Sequence, residues 1–91
     1  MTYEELGQEI GKLVDTKNAA YGSSFDRSGE ILAILYPNGV TPKQYVDVLA
    51  TARILDKLFR IASNPDAFGE SPYADLAGYG ILGAMRNKKE Q

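Results

Sequence analysis

The sequence predicts an all-α protein, a compact four-helix bundle with short connections filling residues 1–91 as a single domain. Three observations carry that prediction. Apolar residues recur at intervals of three and four over long stretches, no stretch of useful length alternates with period two, and cap or cap-then-proline signals divide the chain into four segments.

The first segment opens on Thr2-Tyr3-Glu4-Glu5, which has capping-box spacing with Thr2 as N-cap and Glu5 at the third helical position. Tyr3, Leu6, Ile10, Leu13 and Val14 follow on one stripe, so the first helix is expected to run to about Lys17. Gly22, Ser23 and Ser24 break the pattern, and either serine can cap a second helix from Phe25 to about Tyr36. Pro37-Asn38-Gly39 reads as a turn. The clearest start signal is Thr41-Pro42-Lys43-Gln44, with threonine at the N-cap, proline at the first helical position and glutamine at the third. From there Tyr45, Val48, Leu49, Ala52, Leu55, Leu58, Phe59 and Ala62 continue for five turns, and this third helix is expected to centre the core. Residues 63–69 read as a polar loop. Ser71-Pro72 then repeats the cap-and-proline start of a fourth helix ending near Met85, with Lys88 and Lys89 just beyond it. On that helix Ala77, Gly80 and Ala84 suit either tight packing within the bundle or a subunit interface.

Composition narrows the function. A chain of 91 residues is near the lower limit for a self-sufficient core, so association into a homo-oligomer is expected. No apolar run reaches membrane-spanning length, and the acidic start lacks the basic region of a signal peptide; a cytoplasmic protein is expected. The chain has neither cysteine nor histidine, which excludes disulfides, thiol chemistry and imidazole-based triads. Any catalysis falls to carboxylates, lysine, tyrosine or a hard metal ion. A net charge of −2 argues against wrapping duplex nucleic acid.

The most unusual stretch is Lys17-Asn18-Ala19-Ala20-Tyr21-Gly22-Ser23-Ser24-Phe25. Lysine can pair with phosphate, asparagine can read a base edge, tyrosine can stack on a base, and free N–H groups opening the second helix can hold an anion. The same residues also suit a plain helix end, a glycine turn and a serine cap. Arg53, Lys57 and Arg60 share one face of the third helix, with Asp56 beside them. They form either a salt-bridged solvated stripe or a phosphate clamp in which Asp56 orients an arginine. Glu5 and Glu9, and Asp26 and Glu30, are carboxylate pairs one turn apart, while Glu70 and Asp75 flank the fourth helix start. Asp75 sits in an apolar setting and needs a partner, for which Lys17, Arg53 and Lys57 are candidates.

The blocks Lys17-Asn18-x-x-Tyr21-Gly22-x-x-Phe25, Arg53-x-x-Asp56-Lys57-x-x-Arg60, Glu70-Ser71 and Asp75-Leu76-Ala77-Gly78-Tyr79 resemble a family of small phage and prophage helical proteins, the nucleotide-modification-associated domain. More distantly they resemble MazG-type nucleoside triphosphate pyrophosphohydrolases. The resemblance implies an oligomeric all-α protein that handles nucleotides in the bacterial host cytoplasm. It departs from the hydrolases in the carboxylate motifs that hold magnesium: Glu5 and Glu9 are spaced by four, and no acidic residue stands three or four positions before Asp75. The leading expectation is therefore a nucleotide-binding protein with no cofactor that sequesters its ligand through Lys17, Asn18, Tyr21, Phe25, Arg53, Asp56, Lys57 and Arg60. One alternative is a Mg2+-dependent pyrophosphohydrolase using Asp26, Glu30, Glu70 and Asp75. Another is a protein-binding inhibitor of a host factor.

Overall fold

The computed structural model describes residues 1–66 and 69–90, and among them it has four α-helices and no strand. Helix α1 is Tyr3–Ala20 and α2 is Ser24–Leu35. A 3₁₀ turn at Pro42–Gln44 leads into α3, Tyr45–Ser63, and α4 is Pro72–Glu90. Residues 67 and 68 of the expected polar loop lie outside the described residues.

Local chemistry explains where the helices begin. The Glu5 N–H donates to Thr2 Oγ1 at 3.1 Å, and the Thr2 hydroxyl donates to Glu5 Oε1 at 3.1 Å. The Thr41 N–H donates to Gln44 Oε1 at 2.8 Å, and the Ala74 N–H donates to Ser71 Oγ at 3.1 Å. The three backbone bonds, from the Glu5, Thr41 and Ala74 N–H groups, each satisfy a donor that a helix start otherwise leaves open. The ends of α1 and α4 run further than the apolar pattern predicts. Helix α1 continues three residues past Lys17 because the chain first turns left-handed at Gly22 and Ser23, with φ of 62° and 60°. Helix α4 continues past Met85, so Lys88 and Lys89 occupy its last turn rather than a tail, where their charge still complements the helix dipole.

Helix α3 is the hub, packing against α4, α2, the 3₁₀ turn and, more sparingly, α1. The α3–α4 pair is antiparallel. Asp47 accepts from Arg86 at 2.7 Å, and Lys57 pairs with Asp75 at 3.0 Å, so steps of ten and eleven residues run in opposite directions along the two helices. The α1–α2 corner docks on the C-terminal half of α3, where Arg27 lies over the Phe59 ring at 5.8 Å. Gly22 is required at this corner. Its φ is left-handed, and a Cβ there would collide with Ser63 Oγ.

The interior is small. Among the described residues only Ala20, Ser24, Leu55, Arg60 and Pro72 are buried. All of residues 1–19 are exposed, including the stripe Tyr3, Leu6, Ile10, Leu13 and Val14. One chain measures 52 × 30 × 26 Å with a radius of gyration of 16.1 Å, against about 12 Å for a compact domain of this length. Its accessible surface of 7064 Å² exceeds by roughly 1,900 Å² the area typical of a folded monomer of this mass. The small-residue face of α4 is open as well: Ala77, Gly80 and Ala84 are exposed, and a Cβ on Gly80 would meet nothing within 4 Å. Tight packing of that face inside one chain is therefore corrected.

Candidate functional site

A groove of about 600 Å³ opens between the last turns of α1 and the first turn of α2. Leu13, Val14, Lys17, Asn18, Tyr21, Ser24, Phe25 and Asp26 line it. The 3.6-residue period puts Leu13, Val14, Lys17, Asn18 and Tyr21 on one side of α1, and the left-handed turn at Gly22 and Ser23 swings Phe25 and Asp26 across from them. Lys17, Asn18, Tyr21 and Phe25 thus come together as the sequence suggests. Leu13, Val14 and Ser24 are additional walls, and for the two aliphatic residues the signal was present in the α1 stripe. The lining of the groove is mainly apolar, and Lys17 and Asn18 contribute an ammonium and an amide to it. Asp26 adds a carboxylate to the lining, unfavourable for phosphate and suited to hydroxyl donors.

The start of α2 differs from expectation. Ser23 occupies the N-cap position without a side-chain cap bond, because its left-handed backbone directs the hydroxyl elsewhere; Asn18 Nδ2 donates to Ser23 Oγ at 3.4 Å. The N–H groups of Ser24, Asp26 and Arg27 already donate to the carbonyls of Tyr21 and Ser23. The predicted set of free N–H donors is therefore mostly spent within the turn.

The cation row on α3 divides among three environments. Arg60 is wholly buried at 0% exposure, pairing with the Glu70 carboxylate at 3.4 Å and donating to the Glu70 carbonyl. It anchors the segment that leads into α4 rather than facing a ligand. Lys57, 18% exposed, pairs with Asp75, which selects Lys57 among the three candidate partners. Asp75 itself is half-exposed rather than buried. The Asp75 hydrogen bond and charge hold the Lys57 pKa above its ordinary value, outweighing the partial burial, and the nearby Tyr79 and Tyr21 phenols act in the same direction. Lys57 thus belongs to the α3–α4 seam and does not line the groove, although Tyr21 is near enough to act on its charge. Arg53 lies elsewhere, in a second groove of about 310 Å³ with Asp47, Tyr79 and Arg86. Asp56 is exposed. The stripe is chiefly the seam between α3 and α4, because its carboxylate partners come from across the helix pair.

For the metal alternative, Asp26 lines the first groove, Glu70 serves Arg60 and Asp75 serves Lys57, while Glu30 is exposed on α2. Among the described residues no three acidic side chains gather as a metal site. Among the same residues no helix is long and apolar enough to cross a membrane. Comparisons with protein families, curated proteins and solved structures find no match to this chain.

Proposed function

We propose that the chain binds a nucleotide or nucleotide-derived signalling molecule in the groove between α1 and α2, and holds it rather than converting it. The observation that carries this reading is the meeting of Lys17, Asn18, Tyr21 and Phe25 around one open space of about 600 Å³, within the range of small-molecule sites. A phosphate pairs with the Lys17 ammonium, a base stacks on Tyr21 or Phe25, Asn18 reads its edge, and Asp26 accepts from a ribose hydroxyl. Phe25 supports this role because it is 93% exposed in the isolated chain, an expensive position for a large ring with no companion. Lys57, outside the groove lining but near Tyr21, adds positive potential. The resemblance of its sequence blocks to phage nucleotide-handling proteins supports this reading, and with it we propose a sequestering protein of more than one copy in the bacterial host cytoplasm.

Calorimetric titration with ATP, AMP and cyclic dinucleotides tests it. Heat of binding from at least one of them, lost in Lys17→Ala, is the expected result. The absence of heat and of any thermal shift with the whole panel overturns the proposal.

A further inference from the structure

We infer that α1 is a dimerisation helix, pairing antiparallel with α1 of a second copy along Tyr3, Leu6, Ile10, Leu13 and Lys17. It is argued from other observations than the ligand reading, but it shares Leu13 and Lys17 with the groove, at the far end of α1 from Tyr3. The spacing of these residues is three, four, three and four, a heptad pattern with Tyr3, Ile10 and Lys17 at one core position and Leu6 and Leu13 at the other. Every one of them is exposed in the single chain, and α1 meets the body of the protein only sparingly. A helix of 18 residues that stands mostly in water is marginal, and Gly7 and Gly11 in its interior weaken it further. It needs a partner to persist.

Area and charge identify that partner as another copy. The surface surplus of roughly 1,900 Å² per chain is more than the ~800 Å² a standard interface takes from each partner, and it matches the scale of obligate homodimers. Phe25, at the α2 end of the groove, extends the same apolar surface. The charges along α1 are unevenly spread, with Glu4, Glu5 and Glu9 in its first half and Lys12, Asp15 and Lys17 in its second, a net −3 against a net +1. Antiparallel pairing sets each acidic start against a basic end. Parallel pairing would stack the glutamates on one another and face Lys17 with its own copy, at a core position. The antiparallel order also brings the start of the second copy's α1 towards the Lys17 end of the groove.

Sedimentation velocity on the full chain, without ligand, is expected to give twice 9.9 kDa or an even multiple, and Ile10→Glu is expected to reduce the mass to that of one chain. Because Ile10→Glu also risks unfolding α1, cross-linking supplies a second readout. The natural chain has no cysteine, so Ile10→Cys and Tyr3→Cys each introduce a single thiol. A short bis-maleimide is expected to link Ile10→Cys chains, near the middle of the antiparallel pair, and to leave Tyr3→Cys chains unlinked. A wild-type mass of 9.9 kDa overturns the inference, as does an unchanged assembly in Ile10→Glu or efficient linking of Tyr3→Cys. Dimerisation would be judged independently of any nucleotide titration, so each reading can fail alone.

Discussion

Three residues show how a charged or backbone-special position is committed by its neighbours. Arg60 is wholly enclosed and bound to Glu70, so removing its side chain leaves both a hole and unpaired acceptors. Arg60→Ala is expected to destabilise the fold by about 2–4 kcal/mol in urea unfolding, a cost typical of truncating a buried, bonded side chain. Lys17 is exposed and lines the groove, and Lys17→Ala is expected to change stability by less than about 1 kcal/mol. Gly22→Ala places a Cβ on a left-handed residue against Ser63, and the expected loss is about 1–2 kcal/mol from the backbone alone. The sequence made Lys17 and Gly22 conspicuous as a cation and a breaker between two helices. It did not separate Arg60 from Arg53, because the same spacing on α3 describes both a solvated stripe and a seam. Which cation is enclosed depends on where Glu70 returns after a loop, and local periodicity contains no record of that.

The starts of α1, of the 3₁₀ turn before α3 and of α4 were legible because they are decided within four residues: Thr2 with Glu5, Thr41 with Gln44, and Ser71 with the Ala74 N–H. The start of α2, where Ser23 makes no side-chain cap bond, was not. Helix ends were less legible. The stopping points of α1 and α4 follow from a left-handed turn and a continuing basic segment rather than from loss of an apolar pattern. Between elements, the Lys57–Asp75 pair joins α3 to α4, and its pH dependence follows from the raised pKa of Lys57. The folded chain holds that proton more tightly than the unfolded chain, whose lysine has the ordinary value of 10.5. The contribution is therefore complete below pH 10.5 and is lost as pH rises through the higher folded value. The gap in melting temperature between wild type and Asp75→Asn is expected to stay constant from neutral pH to about 10 and to narrow above it. Thermal melts across pH 7 to 11.5 would show this, and a gap that widens above pH 10.5 would contradict the assignment.

For the whole molecule, the all-helical class was readable from period and composition, whereas the degree of closure was not. An apolar stripe such as Tyr3, Leu6, Ile10, Leu13 and Val14 states that a face needs covering, and it is silent on whether the cover comes from the same chain. The surplus surface and the exposed α1 are what the proposed second copy would cover. The groove beside the stripe was half legible: the residues from Lys17 to Phe25 announced themselves by type, while Arg53 and Arg60, which share their chemistry, lie in other parts of the structure. The nucleotide reading thus depends on one corner of the fold. Amide chemical-shift mapping of the 15N-labelled protein with ATP and with a cyclic dinucleotide tests it most directly. Shifts concentrated between Leu13 and Asp26, and abolished in Lys17→Ala, are the predicted result; shifts centred on Arg53 and Arg86, or no shifts with either ligand, would contradict it.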